Sequence, residues 1–348
     1  MKSFGGEKAE QLQIELLSWY DSFARSLSWR AEYNEKPDPY SVWLSEIMLQ
    51  QTTVATVEPF FKKFILRWPT IEDLAAAEQA EILHSWAGLG YYSRARNLHD
   101  CAKVIVTNFA GIFPETEDEL IKLPGIGPYT AAAISAIAFN QPAVVVDGNI
   151  ERIMTRLHGG KIPLRQNKPT IRTWAASLTP THRPGDYAQA LMDLGAAICK
   201  PANPACQSCP IKTYCVANNA GLADQLPTKL QKKEKPVRKG IAYVIKDGRD
   251  RLLIEKRPPK GLLGGMDGLP TGTWQTEYPA ALSDSTKLDV KIKHTFTHFH
   301  LELELYQAPE AAAVNFPDSR FVEDLEKLAL PTLFAKAIKM ISGVRCRR

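Results

Sequence analysis

Residues 123–149, LPGIGPYTAAAISAIAFNQPAVVVDGN, constrain this chain more than any other stretch. A glycine turn, a proline, a run of small side chains and an apolar tetrad lead abruptly to an acid, and few local structures accommodate that order. Gly125 and Gly127 can adopt positive φ without steric cost, so the chain can reverse sharply and turn backbone N–H groups outward. Pro128 suits the first helical position, where its φ is already set and no N–H is needed. Amides left unpaired at a helix N-terminus make an anion site, and a nucleic-acid phosphate is the commonest large anion. A plain glycine-capped turn has the same pattern. Asp147 follows Ala143-Val144-Val145-Val146, which puts its carboxylate at the rim of buried structure. Asp147-Gly148-Asn149 is equally an N-cap for a helix starting near Ile150.

Upstream, Leu12, Leu16, Leu17, Tyr20, Phe23, Ala24 and Leu27 recur at helical spacing and predict an amphipathic helix over 7–27. Pro37-Asp38-Pro39 breaks the chain, and Ser41 is a plausible cap for a helix through about Thr56. In that helix Glu46 has Val42 and Trp43 one turn before it and Leu49 and Gln50 one turn after. Apolar surroundings disfavour the charged form of a carboxyl, so its pKa rises toward that of a general acid at neutral pH. A glutamate at the edge of an ordinary amphipathic helix is the plainer reading. Short helices are predicted at Phe60–Trp68, Ile71–Ala77, Glu81–Trp86 and Ala95–Phe109, and later over 150–158, 170–178 and 186–198. A second glycine turn, GLGYYSRARN (88–97), opens on aromatic and basic side chains, with Arg94 and Arg96 as phosphate candidates.

Four thiols crowd into one loop: Cys199, Cys206, Cys209 and Cys215, separated by six, two and five residues. Zinc and an iron–sulfur cluster are the candidate occupants. Structural zinc usually takes two short knuckles, and only Cys206 and Cys209 form one here. Cys101 and Cys346 lie outside the motif as a buried and a tail thiol. No apolar run approaches the ~18 residues that span a bilayer, and the first residues lack an apolar signal core. A cytoplasmic protein without a disulfide framework, nucleoid-associated if bacterial, and with no membrane partner is expected. The net charge is +5, and Lys229–Lys239 alone carries +5 (six basic residues, one acid), so the remainder is neutral. Charge therefore permits a nucleic-acid partner without proving one.

Residues 225–239, QLPTKLQKKEKPVRK, read as a basic linker. Beyond it the apolar period changes to two. Residues 241–246 and 251–257 read as a hairpin, 291–308 as one or two strands, and 331–342 as a helix.

The G-I-G-P-Y-T hairpin followed by V-D-G-N resembles the helix-hairpin-helix DNA glycosylases of the endonuclease III superfamily. W-L-S-E-I-M-L-Q-Q-T, around Glu46, resembles the MutY-type adenine DNA glycosylases within it. The likeness implies a mainly α, two-lobed helix-hairpin-helix glycosylase with a 4Fe-4S loop, plus a C-terminal α/β MutT-like (Nudix-like) domain. On that plan residues 1–29 and 141–224 form the iron–sulfur lobe and 30–140 the six-helix lobe. Residues 225–239 are the linker, and 240–348 the domain that reads the opposite base. The implied activity is removal of adenine mispaired with 8-oxoguanine or guanine in double-stranded DNA, by a monomer. Glu46, Asp147, Asn149 and Tyr129 would be catalytic. Tyr129 stands where bifunctional members carry a lysine and cannot form a Schiff base, which implies a monofunctional enzyme.

The same match makes Gly125 and Gly127 the phosphate grip, Gln51 the wedge in the duplex, and Leu89 and Tyr91 minor-groove probes. Arg30, beside Trp29, and Gln189 would face adenine; the family's L-P-W-R reads with Ser28 in place of proline. The cysteine spacing coincides with the family's cluster loop, so Cys199, Cys206, Cys209 and Cys215 would hold a 4Fe-4S cluster. H-T-F-T-H-F-H resembles the F-S-H loop, with Thr297 for serine beside His298, as contacts to the damaged base. Were 294–306 one strand, Thr297 would share the core face with Leu301, Leu303 and Leu305, so that role requires a turn. His294, His298 and His300 would then share the other face, a weaker metal reading. The tail lacks the hydrolase G-x5-E-x7-R-E-x-x-E-E box, so no pyrophosphatase activity is expected. Two other readings stay open: a sister glycosylase acting on oxidised or mismatched pyrimidines, and a non-catalytic iron–sulfur DNA-binding or redox-sensing module.

Overall fold

The computed structural model describes residues 4, 6–32, 35–228 and 234–343; residues 229–233 of the linker and Cys346 lie outside the described residues. The chain divides into two compact units, Met1–Ala76 with Asp100–Gln231, and Ala77–His99 with Lys232–Arg348. Residues 77–99 thus cluster with the C-terminal strands. Among the described residues no helix is long and apolar enough to cross a membrane.

In the first unit, α1 (Gly6–Phe23) buries Leu12, Leu16, Leu17 and Tyr20. It stops short of residue 27 and leaves Phe23 67% exposed. α2 (Pro39–Leu49) begins on Asp38, not Ser41. The Asp38 carboxylate accepts from the amides of Tyr40 and Ser41 at 3.2 and 3.0 Å, with Pro39 at the helix start. An acid ahead of proline wins over a later serine because it meets the positive end of the helix with φ already set. α2 does not run to Thr56. Gln51 takes φ 58°, which ends the helical path, and Thr53 caps α3 (Val54–Arg67). After α4 (Ile71–Ala76), α5 (Gln79–Trp86) belongs to the second unit, and α6 (Ser93–Phe109) runs from the second unit back into the first.

α7 (Glu117–Leu120) and α8 (Pro128–Phe139) flank the glycine turn. Gly125 has φ 75°, as its lack of a side chain allows, whereas Gly127 is extended at φ −97°, ψ 176° and serves as the N-cap. α8 is buried on all sides from Thr130 to Ile137, so its alanines admit close neighbours: α2 packs on it, and so does α11 (Pro184–Ala197). Gly185 allows the α11 approach, since a Cβ there would lie 2.5 Å from the Ala136 carbonyl oxygen. α9 (Gly148–His158), α10 (Leu164–Ala176) and α12 (Val216–Asn219) complete the unit.

Among its described residues the second unit carries two three-stranded sheets. β1 (Val237–Ile245) runs parallel to β5 (His300–Ala308), which pairs antiparallel with β4 (Thr286–Thr295). β2 (Leu252–Lys256) pairs with β3 (Asp267–Gly268) and β6 (Ser319–Val322), and α13 (Thr332–Gly343) follows. The expected hairpin of β1 and β2 is therefore replaced by a single bridge between Lys246 and Leu252. β1 is apolar on both faces, Ala242 and Val244 entering one core and Ile241, Tyr243 and Ile245 another, so it needs cover on both sides. The stretch 291–308 is two strands, with a turn at 296–299 closed by Phe296 N to Phe299 O at 2.9 Å.

Candidate active site

Asp147 acts by its charge on the buried carboxyl of Glu46 and is the N-cap of α9. Its Oδ1 accepts from the Ile150 amide at 2.7 Å and its Oδ2 from Asn149 Nδ2 at 2.9 Å. Burial raises its pKa, and those hydrogen bonds pull it back toward the charged form. Capping and presenting a carboxylate are one arrangement here: the helix start holds the side chain still. Asn149 is held in turn, its Oδ1 accepting from Arg152 Nη2 at 2.9 Å. Gly195 on α11 leaves it room, since a Cβ there would lie 2.5 Å from the Asn149 Cβ.

Glu46 comes from α2 and is 6% exposed. Tyr129, in the first turn of α8, donates its hydroxyl to Glu46 Oε2 at 2.8 Å. The packing of α2 on α8 therefore brings positions 83 residues apart into contact. Burial lifts the Glu46 pKa from 4.5 to about 7; the Asp147 charge adds to the rise, while the Tyr129 hydrogen bond and the Arg30 charge oppose it. The same carboxylates and burial raise Tyr129 well above its ordinary value, so its proton stays on oxygen. A carboxyl poised near neutrality beside a second, differently tuned carboxyl is the arrangement of a general acid with an electrostatic partner.

A cavity of about 1050 Å³ opens against Glu46, and Trp29, Arg30 and Gln189 line it as well. Asp147, Asn149 and Tyr129 are not in that lining; Tyr129 meets the Glu46 carboxyl by its hydroxyl, Asp147 acts on it by its charge, and Asn149 bonds Asp147. Trp29 is buried against Phe61, with ring centroids 5.5 Å apart. Arg30 is tied to Asp193 by two bonds of 2.8 Å. Gln189 is buried, one turn before Asp193 on α11.

Gln51 is exposed at its left-handed φ, a conformation uncommon outside glycine that places a side chain at a helix junction. In the second unit Tyr91 is also left-handed, at φ 48°, and 44% exposed. Leu89 is buried, at 5% exposed, in the protein without DNA. The glycines on either side of it, Gly88 at φ 110° and Gly90 at φ 71°, turn the backbone so that Leu89 points inward and Tyr91 outward. The turn at 296–299 leaves Thr297 and His298 exposed, and Thr297 Oγ1 lies 3.0 Å from the Tyr91 hydroxyl. His300 bonds Thr295 at 2.9 Å.

The four cysteines of 199–215 are half-buried and unbridged. Burial raises the thiols of Cys206, Cys209 and Cys215, Cys209 to about 12, and the charge on Cys199 adds to each, which places the sulfurs in one neighbourhood. Arg156 reaches two of them: Nη1 donates to Cys199 Sγ at 3.2 Å, and Cys215 Sγ lies 3.5 Å from the Arg156 carbonyl. Four soft sulfur donors in one short loop are the ligand type that an iron–sulfur cluster takes, although they are not drawn together into a closed ligand set. Among the described residues no three His, Cys, Asp or Glu side chains form a group that could hold a metal ion.

Sequence reasoning missed Arg152, Arg156, Arg25 and Asp193. The two α9 arginines lie one turn apart on the buried face of a helix that starts at Asp147, a signal that was there to use because buried arginine is rare. Arg152 spans Asn149, the Gly195 carbonyl and the Cys199 carbonyl, the last at 2.7 Å. Asp193 left no sequence signal, since its partners lie more than 160 residues away.

Residues 44–171 match the family model described as HhH-GPD superfamily base excision DNA repair protein, and residues 241–340 match a NUDIX domain. The chain is 36% identical over 303 residues to an adenine DNA glycosylase of Buchnera aphidicola subsp. Baizongia pistaciae, covering 86% of this chain and 85% of that protein. It is 32% identical over 403 residues to the Homo sapiens adenine DNA glycosylase, covering 94% and 73%. The Arabidopsis thaliana adenine DNA glycosylase is 36% identical over 339 residues, and the match spans 86% of this chain but about half, 53%, of that protein. Among solved structures, a thermostable thymine-DNA glycosylase aligns with TM-score 0.55 and 28% identity over 62% of this chain and 98% of its own. An endonuclease III–DNA complex aligns with TM-score 0.50 at 24% identity over the same shares, a likeness of fold alone.

Proposed function

Because the chain belongs to the adenine DNA glycosylases of the HhH-GPD superfamily, with a Nudix domain at its C-terminal end, we propose that it excises adenine from A:8-oxoguanine and A:G mispairs as a monofunctional, monomeric enzyme. The observation that carries this reading is Glu46, a buried carboxyl raised to about 7 at the wall of a cavity, with the charge of a second carboxyl, Asp147, acting on it. The glycosidic bond is inaccessible inside the duplex, so adenine leaves the stack first. Glu46 in its acid form donates a proton to the adenine ring, which then departs as a neutral base. Asp147 stabilises the oxocarbenium-like sugar or bonds to it transiently, the two-carboxylate logic of glycoside hydrolysis. Asn149 keeps Asp147 oriented, and Tyr129, with no amine to trap the sugar, holds the Glu46 carboxyl.

On this reading Arg30 and Gln189 face the base, the Gly125–Gly127 turn takes a phosphate, and Gln51 wedges into the duplex. Tyr91 probes the minor groove, and Thr297 and His298 contact the damaged opposite base. Cys199, Cys206, Cys209 and Cys215 hold a 4Fe-4S cluster, which would supply a cross-link fixing the loop 199–215.

The test is a single-turnover assay on matched duplexes carrying 8-oxoguanine:A, G:A, G:T or thymine glycol. Adenine release from the first two, abolished in Glu46→Gln and Asp147→Asn with DNA binding kept, is the expected result. Near-normal excision by either variant, release from the pyrimidine substrates alone, or binding without any abasic product overturns the proposal.

A further inference from the structure

Asp193 lies on α11, 1% exposed, one turn after Gln189, and so on the same face of the helix. Its carboxylate is saturated by two arginines of the cavity wall. Oδ2 accepts from Arg30 Nη1 at 2.8 Å and from the Arg25 amide at 2.9 Å. Oδ1 accepts from Arg30 Nη2 at 2.8 Å and from Arg25 Nε at 2.7 Å. Arg30 Nη1 also donates to the Arg25 carbonyl at 3.1 Å, and the Tyr20 ring centroid lies 5.8 Å from its guanidinium carbon. A two-point arginine–carboxylate pair fixes the orientation of the cation as well as compensating its charge.

That cation matters to the neighbouring acid. The groups that act on Glu46 are Tyr129 from α8, Asp147 from the start of α9, and Arg30, of which Tyr129 and Arg30 favour its ionised form. Glu32, Glu35, Lys36 and Glu115 share the cavity but are exposed, so water and salt screen them. Arg25 is a third exposed and screened likewise. Among the described residues Arg30, with 10% of its side chain exposed, is the cation that acts on the carboxyl, and a free opposite charge at short range lowers a carboxyl pKa by about 1–3 units.

We propose that Asp193 is a positioning residue of the base-excision reaction: by pinning Arg30 and offsetting its charge it limits the pull of that cation on Glu46, and so preserves the proton that Glu46 delivers. The proposal rests on the function given above and adds a residue that touches neither base nor sugar. Losing the Asp193 charge releases Arg30 toward Glu46; losing the Arg30 charge leaves Asp193 to hold the proton on Glu46 still more firmly. The two substitutions must move the pH dependence in opposite directions.

The experiment is the single-turnover rate of adenine release from an 8-oxoguanine:A duplex across pH 5.5–9, for the parent, Asp193→Asn and Arg30→Gln. In the parent the rate falls as pH rises through about 7. In Asp193→Asn that alkaline limb shifts down by about one pH unit, roughly a tenfold loss on its descending arm. In Arg30→Gln the limb shifts up. If Asp193→Asn does not fold, as its melting curve reports, Asp193→Glu, which keeps a charge on Arg30, must hold the limb where the parent has it, and a limb that moves down overturns the proposal. A merely structural Asp193 would lower the rate at every pH and leave the limb in place, and that result, or an Arg30→Gln limb that stays or falls, overturns the proposal. A parent that releases no adenine sinks the function itself, a distinguishable failure.

Discussion

Glu46→Gln should make the protein more stable above neutrality while abolishing its chemistry. Glu46 titrates at about 7 in the folded chain against 4.5 when free, so between those values the folded state binds the extra proton. Stability falls with pH wherever the folded state binds more protons than the unfolded one. The burden is absent below pH 4.5, grows through the window to 7, and is constant beyond it. A shift of ~2.5 units at ~1.36 kcal/mol per unit makes the full burden about 3 kcal/mol. By the same relation it is about 1.4 kcal/mol at pH 5.5. Glutamine cannot ionise, and its side-chain oxygen still accepts from the Tyr129 hydroxyl, so the variant escapes the burden. Urea unfolding of both full-length proteins at pH 5.5 and 8.0, followed by far-ultraviolet circular dichroism, should show the advantage of the variant growing by about 2 kcal/mol. An advantage equal at the two pH values, or one that shrinks as pH rises, would refute a buried acid poised near neutrality, whatever the kinetics said.

Tyr129→Phe removes a donor that favours ionised Glu46, so the alkaline limb of adenine release should move up by about 1–2 pH units, read from single-turnover rates. Gly185→Ala forces a methyl to within 2.5 Å of the Ala136 carbonyl oxygen, and should lower stability by about 1–3 kcal/mol in urea and slow adenine release by pushing α11 off α8. Cys209→Ser should cost the purified protein its iron and its visible absorption, whereas Cys101→Ser should keep both; zinc in place of iron on elemental analysis would refute the cluster.

Local chemistry made much of this legible in advance. Pro128 starts α8, Asp147 caps α9 and the run after the linker forms strands, because each depends on residues within a few positions. Glu46 was legible too, since its own helix supplies apolar neighbours on both sides. Boundaries failed where two local signals competed, as at Asp38 against Ser41, or where a left-handed residue ended a helix, as at Gln51. The β1–β2 hairpin failed because pairing depends on which faces need cover, and β1 is apolar on both.

From its amino acids alone this chain determined which groups could do chemistry: two acids of contrasting environment, a glycine turn beside a helix start, and four thiols in a short loop. Only tertiary packing decided how those groups act on one another. The Tyr129 bond to Glu46, the clasp of Asp193 on Arg25 and Arg30, and the reach of Arg156 to Cys199 all join positions 43 to 168 residues apart. Hydrogen bonds and Coulomb forces work over a few ångströms, and which distant residues come that close is set by helices packing through Gly185, Gly195 and the alanines of α8.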